Sequence, residues 1–158
     1  MAKATPATQA LDRAGLRYSL HPYAYDPDAA RIGLQAADAL GVPPEHILKT
    51  LMAAVDGRPV CLLVASDREV SMKRVAAAFG GKAAAMLKPA EAERITGYRV
   101  GGISPLGQRR RVPTLIDAGS VPDPEAELHV NGGTRGLQIR LRASDLVAVL
   151  EASLAPLV

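Results

Sequence analysis

Residues 101–108 combine three glycines, one proline and two polar side chains, a composition that could bind an anion or a carbonyl oxygen. Glycine reaches positive φ and lets a ligand approach the backbone, and proline fixes its own φ, so the segment predicts a shaped loop. Only Ile103 and Leu106 are large and apolar, and we expect the loop to have little packing of its own. An ordinary tight connection has the same composition, so both interpretations stay open here.

Three consecutive arginines, Arg109, Arg110 and Arg111, follow this loop. Guanidinium groups bind phosphate through paired N–H donors, so the cluster suggests contact with a nucleic-acid backbone. The competing interpretation is a solvated basic turn. The net charge of +3 and the pI of about 9.2 permit a nucleic-acid partner without requiring one.

A single lysine, Lys49, interrupts an apolar strand pattern over residues 47–55. Period-two alternation places it on the same face as four apolar residues of that strand. Its long stem lets the ammonium group reach solvent from the strand end, and the alternative is that the lysine is held at a site. The strand pattern alone is compatible with both.

Several kinds of catalytic site find no support in the sequence. The histidines His21, His46 and His129 are far apart and form no metal motif, and no cofactor-binding fingerprint occurs. The single cysteine, Cys61, lies in an apolar run and predicts a buried, inert thiol. No glycine follows Ser104 as a nucleophile elbow would require. The glycine-rich loop and Lys49 remain as candidates. They suit polarisation of a substrate carbonyl by backbone N–H groups and an ammonium group, without a protein nucleophile.

The surrounding elements predict one α+β domain over residues 1–158, with a mixed or antiparallel, barrel-like sheet and flanking helices. Asp56-Gly57 is a strong hairpin signal, and the two apolar strands beside it should lie in the middle of the sheet. We expect helices at about residues 6–14, 33–40, 72–79 and 89–96, and a last helix capped by Ser144. Strands are expected at 18–21, 47–55, 59–65, 112–116, 127–130 and 137–141.

Composition narrows the class of protein further. Aromatic residues make up only 3% of the 158 residues, which argues against an aromatic platform for stacking bases. The amino terminus has no apolar segment of a secretory signal, and no apolar stretch approaches membrane-spanning length. We therefore expect a cytoplasmic protein with no membrane contact.

Segments spread over nearly the whole chain resemble the YbaK/EbsC family of aminoacyl-tRNA deacylases, relatives of the editing domain inserted in bacterial prolyl-tRNA synthetases. The resemblance implies the fold of that family and a trans-acting hydrolase without a cofactor. Within the family, the sequence is most similar to the free-standing type that hydrolyses Cys-tRNA(Pro). This resemblance implies tRNA(Pro) and prolyl-tRNA synthetase as partners. The segments are residues 26–27, 48–51, 96–98, 101–108, 113–114, 132–133 and 135–137.

The resemblance also implies roles for individual residues. Lys49 would orient the aminoacyl ester and the terminal adenosine, and the backbone of Gly101 and Gly102 would bind the substrate carbonyl or the ribose. In this type the substrate's own thiol attacks its ester, whereas related domains use water or a ribose hydroxyl. The other implied pocket residues are Tyr23, Thr50, Ile103 and Ser104.

Three positions depart from the family pattern. Asn131 stands where the family has a small hydroxyl residue, Gln138 where it has an aspartate, and Ile32 where it has a pocket phenylalanine. An amide in place of a carboxylate removes a partner for an α-ammonium group. The resemblance thus leaves two alternatives open. The protein could remove alanine, serine or threonine from tRNA instead of cysteine, or it could be a non-catalytic module that binds aminoacyl-tRNA or a synthetase.

Overall fold

A computed structural model of the chain describes residues 4–31 and 34–158. Ile32, expected in the substrate pocket, lies outside the described residues. The helices are α1 (Pro6–Arg13), α2 (Gln35–Leu40), α3 (Met72–Ala78), α4 (Pro89–Thr96) and α5 (Ala143–Leu150), with short 3-10 turns at Pro44–His46 and Ala118–Ser120. The strands are β1 (Ser19–Pro22), β2 (Leu48–Val55), β3 (Arg58–Ala65), β4 (Ala84–Met86), β5 (Thr114–Asp117), β6 (Glu127–Asn131), β7 (Leu137–Arg142) and β8 (Ser153–Ala155).

The strands form two sheets, one in the order β4-β2-β3-β5-β8 and one in the order β1-β7-β6. The hairpin between β2 and β3 turns through Asp56 and Gly57, whose φ angles of 50° and 82° suit the tight turn that the sequence predicts. The pairs β3–β5 and β5–β8 are parallel and the other pairs are antiparallel. The predicted α+β class with a mixed sheet is confirmed.

The two sheets meet where β2 begins. An isolated parallel bridge joins Ile47 to His129 of β6, so the backbones of the two sheets are in contact at this point. β2 and β3 are internal strands, as predicted, but β4 pairs only with residues 53–55 of β2. Among the described residues, no strand covers the outer edge of the first half of β2, which carries Lys49.

The main hydrophobic core lies between the three-stranded sheet and one face of β2, β3 and β5. Helices α1 and α5 close it with Leu11 and Leu146, both fully buried. Burial of each such leucine stabilises the fold by about 2 kcal/mol. A second core covers the other face of the large sheet and includes Val75 of α3 and Leu62 of β3. The five-stranded sheet that contains β2 is thus covered by a hydrophobic core on each face.

Several expectations about local structure are corrected. The loop at residues 101–108 packs well, because Leu106 is 2% exposed and belongs to the main core. The last helix begins at Ala143 with Arg142 as its N-cap, so Ser144 is not a cap. Strands β4 and β8 have three residues each and were not expected, because such short segments carry no clear period-two pattern.

Candidate active site

A cavity of about 370 Å³ opens at the uncovered edge of β2, between the two sheets and the start of α4. This volume lies at the lower end of the range of ligand sites, about 300–1,000 Å³. Most of the residues that the sequence assigns to a substrate pocket line this one cavity. They are Tyr23, Lys49, Thr50, Gly101, Ile103, Asn131 and Gln138.

The open edge of β2 extends from the bridge at Ile47 to the pairing with β4 at residues 53–55. The carbonyl of Met52 faces this edge, because it accepts a hydrogen bond from the Leu87 N–H (3.0 Å) just beyond β4. Alternate residues of a strand direct their backbone groups to the same edge. The N–H and C=O of Thr50 therefore also point toward the cavity.

Lys49 lies at the start of β2 with its side chain 24% exposed. Its Nζ is 3.2 Å from Oε1 of Glu69, which follows β3 and has a side chain that is 92% exposed. An ion pair with so exposed a partner contributes only about 0–1 kcal/mol. The ammonium group is thus held at the cavity by its strand, and its present partner is easily replaced.

Gly101 occupies a turn that requires glycine. The Gly102 N–H donates to the Arg99 carbonyl (2.8 Å), and Gly101 has a φ of 91°, as the third residue of a type II turn needs. The Val100 carbonyl accepts a hydrogen bond from Arg135 Nε (3.0 Å). In a planar trans peptide the N–H points opposite to the C=O, so the Gly101 N–H points away from Arg135. Among the hydrogen bonds of the described residues, this amide donates none.

Asn131 ties the Gly101 turn to the connection between β6 and β7. Its Nδ2 donates to the Gly101 carbonyl (3.1 Å), and its Oδ1 accepts from the Gly133 N–H (2.8 Å). One N–H of the Asn131 amide remains for a ligand. This residue therefore shapes the cavity and fixes its loop, and it offers the substrate at most one donor.

Two buried oxygen atoms on the cavity residues lack partners within the described part of the chain. They are Thr50 Oγ1 and Gln138 Oε1, and Gln138 is only 5% exposed. Burial raises the pKa of the Tyr23 hydroxyl, an effect that the nearby side-chain amide of Gln138 opposes. An unpaired buried polar atom costs about 1–3 kcal/mol, but both oxygens have almost no accessible surface, so a ligand in the cavity would reach them only after these side chains rotate.

The remaining predicted residues lie away from the cavity. The Gly102 amide is engaged in the turn, and Ser104 is fully buried with its Oγ accepting from the Leu106 N–H (3.2 Å). Arg110 and Arg111 line a separate groove at the β2–β3 hairpin. Arg109 lies against Gly97 at the end of α4. The structure does not bring these residues to the cavity.

The sequence matches the model of a family described as the aminoacyl-tRNA editing domain over residues 26–149. This match spans every residue that lines the cavity except Tyr23. The chain belongs to the aminoacyl-tRNA editing domain family. An aminoacyl-tRNA is accordingly the substrate, and deacylation is the activity.

Individual relatives agree with this family. The chain is 27% identical over 152 residues to a protein of Enterococcus faecalis named as a Cys-tRNA(Pro)/Cys-tRNA(Cys) deacylase, EbsC, covering 96% of this chain and 91% of that one. It is 32% identical over 83 residues to the proline–tRNA ligase of an Acidithiobacillus ferrooxidans strain, covering 52% of this chain and 15% of the ligase. A crystal structure described as a trans-editing enzyme for prolyl-tRNA synthetase has the same fold, with a TM-score of 0.83 at 24% identity over 99% of this chain and 98% of the other.

Beside the cavity, the editing domain contains a histidine pair that sequence spacing did not reveal. The rings of His21 and His129 are 5.2 Å apart in an edge-to-face arrangement. His21 of β1 lies opposite Gln138 of β7, which lines the cavity, so the two histidines adjoin the cavity. Burial, and then the charges of His21, Arg140 and His46, lower the pKa of His129 to about 4. Within the described residues no group of three or more metal-ligating side chains is placed to hold an ion.

Two further features of the editing domain bear on its chemistry. Cys61 is buried, as predicted, and burial raises the pKa of its thiol to about 12. In the part of the chain that the structure describes, no helix is long and apolar enough to cross a bilayer. Among the described residues, the cavity brings together the ammonium group of Lys49, the Gly101 N–H without a partner, and the two side-chain oxygens of Thr50 and Gln138 without partners.

Proposed function

We propose that this editing domain acts in trans as a deacylase that removes cysteine from mischarged tRNA(Pro). The nearly full-length similarity to EbsC supports this substrate, as does the small size of the cavity. Small amino acids of similar size differ too little in binding energy for a synthetase to separate them, which creates the need for a second, hydrolytic site. Prolyl-tRNA synthetase is the expected partner that would supply this substrate.

The observation that carries the proposal is the convergence of Lys49, the Gly101 amide and Gln138 on one cavity. An ammonium group and an N–H donor suit the carbonyl oxygen of an ester, on which negative charge develops during acyl transfer. The oxygens of Gln138 and Thr50 have no partners among the described residues, and they would accept from the α-ammonium group of the aminoacyl moiety after rotation of their buried side chains. In this arrangement the ester lies between Lys49 and Gly101.

The reaction itself needs no protein nucleophile. The cysteine thiol of the substrate loses its proton, and its sulfur forms a bond to the ester carbonyl carbon. The carbon–oxygen bond to the ribose then breaks, the ribose oxygen takes up a proton, and a cyclic thiolactone leaves. Lys49 and the Gly101 N–H would stabilise the negative oxygen of the intermediate, which typically contributes a factor of about 10²–10³ per donor.

A second candidate is a deacylase for alanine, serine or threonine esters. It is favoured by Gln138, whose amide replaces the carboxylate of the family pattern, and by Asn131, which fills more of the cavity than a small hydroxyl residue. Without a substrate thiol, water or a ribose hydroxyl would attack the ester. The same Lys49 and Gly101 donors would serve that reaction.

The test is a deacylation screen on tRNA(Pro) charged separately with cysteine, alanine, serine or threonine. We expect deacylation of the cysteine ester, and K49A should lower its kcat/KM at least 100-fold. K73A, which removes an exposed lysine of α3, is the matched control and should leave the rate unchanged. Hydrolysis confined to another ester would select the second candidate, and binding of all four without turnover would favour a non-catalytic module.

A further inference from the structure

Arg135 lies in the connection between β6 and β7, is exposed, and has a fixed guanidinium group. Its Nε donates to the Val100 carbonyl (3.0 Å). Its Cζ lies 5.5 Å from the centre of the Tyr25 ring, a cation–π contact. A long exposed arginine would otherwise sample many rotamers, so these two contacts hold the cation in one place.

Arg135 is held against the outside of the cavity wall. A Cβ built on Gly101 would lie 3.1 Å from both Arg135 Nε and Tyr25 Oη, so the guanidinium packs directly against a cavity residue. The Val100 carbonyl that accepts its hydrogen bond belongs to a second cavity residue. Arg135 does not itself line the cavity and therefore stands at its outer side.

The charge of Arg135 is not neutralised by the protein. Among the ion pairs of the described residues, none involves Arg135. Only its Nε is used, which leaves the terminal N–H groups of the planar fork. A weakly hydrated guanidinium stacked on an aromatic ring is well suited to bind phosphate.

We propose, on the basis of the proposed function, that Arg135 binds the phosphate that links the terminal adenosine to the rest of the acceptor strand. With the ester between Lys49 and Gly101, the terminal ribose occupies the mouth of the cavity. The next anionic group of the substrate is this phosphate, one nucleoside away from the ester. Arg135 is held against Val100 and Gly101, two residues that line the cavity, so in this proposal it positions the substrate and takes no part in the bond changes.

The substitution R135Q removes the positive charge, and with it the cation–π contact with Tyr25, but keeps the hydrogen-bond donor to Val100. Gln Nε2 occupies the same place along the side chain as Arg Nε, so the donor to the Val100 carbonyl is retained while the positive charge is lost. Loss of a charge-assisted hydrogen bond costs about 1.5–3 kcal/mol, or about a 10- to 100-fold loss of affinity. We expect the KM for aminoacyl-tRNA to rise by this factor with kcat changed less than threefold.

Two substrates locate the effect. With the aminoacyl ester of free adenosine, which has no phosphate, R135Q and the wild-type protein should have equal kcat/KM within a factor of two. R142Q, at the far exposed end of β7, is the matched control and should equal the wild type on both substrates. Equal losses of R135Q on both substrates would show a purely structural role and overturn the proposal, as would no loss on either.

A binding measurement decides the matter even if no ester is hydrolysed. Uncharged acceptor-stem RNA is compared with the same RNA in which a neutral methylphosphonate replaces the last phosphodiester. The replacement should weaken binding to the wild-type protein about 10-fold or more and have little effect on R135Q. Equal weakening of both proteins would overturn the role of Arg135, whereas loss of hydrolysis with this coupling intact would count only against the proposed reaction.

Discussion

The ammonium group of Lys49 lies 3.2 Å from the carboxylate of Glu69, and the two side chains are 24% and 92% exposed. The strand fixes the lysine at the cavity, whereas the glutamate projects from a loop into solvent. An ion pair of this kind is weak, because water screens the exposed partner. We therefore regard Glu69 as a replaceable partner that an ester oxygen displaces when the substrate binds.

The first prediction concerns this pair. E69Q should keep the free energy of unfolding within 0.5 kcal/mol of wild type and change kcat/KM less than threefold, since Glu69 contributes little to either. K49R should recover only part of the activity lost in K49A, because a planar guanidinium differs in shape from an ammonium. Single-turnover deacylation and urea unfolding test these outcomes. A large loss in E69Q would show that the carboxylate is part of the catalytic machinery.

The second prediction concerns the attachment of the Gly101 turn by Asn131. N131A removes both hydrogen bonds of this side chain, to the Gly101 carbonyl and the Gly133 amide. We expect a loss of about 1–2 kcal/mol in the free energy of unfolding and a loss of at least 10-fold in kcat. N131D should retain the bond from Gly133 only and give an intermediate kcat. Unchanged kcat in N131A would mean that the turn keeps its geometry without this attachment.

The third prediction is a pH dependence of stability that originates in His129. Its pKa is about 4 in the folded protein against an ordinary value of 6.5, so between these values the unfolded state binds a proton that the folded state does not. Stability should therefore fall as the pH decreases from 6.5 toward 4, by about 3 kcal/mol from this residue. H129F keeps a ring against His21 and should flatten the dependence by that amount in urea unfolding. Parallel curves for the two proteins would contradict the assignment.

The fourth prediction tests the basic segment after the loop. Arg110 and Arg111 line a groove that also contains Arg58, and Arg111 pairs with Glu151 at 3.2 Å. If this groove contacts the acceptor stem, R110Q should weaken tRNA binding and reduce the slope of log K against log salt by about 0.9. Deacylation of the adenosine ester should not change. An unaltered salt slope would assign these arginines to solvent.

Local sequence signals determined most of the secondary structure. The helix expected from residue 6 is α1, and it begins at Pro6 with a capping box between Thr5 and Thr8. Asp56-Gly57 predicted the hairpin, because few residues accept the positive φ angles of its turn. These signals act over a few residues, so they can be identified without knowledge of the fold. Helix α5 shows the limit, since the serine that suggested a cap lies one residue inside the helix.

The sequence by itself also determined the main chemical groups of the candidate site: a lysine in an apolar strand and a glycine turn. Only the tertiary structure decided which candidate groups meet. It placed Gln138 and Lys49 on one cavity although they are distant in the chain, engaged the Gly102 amide within its own turn, and left the arginine triplet elsewhere. The physical reason is that the cavity lies at a strand edge between two sheets, and sheet pairing depends on contacts between residues far apart in sequence, which local patterns do not specify.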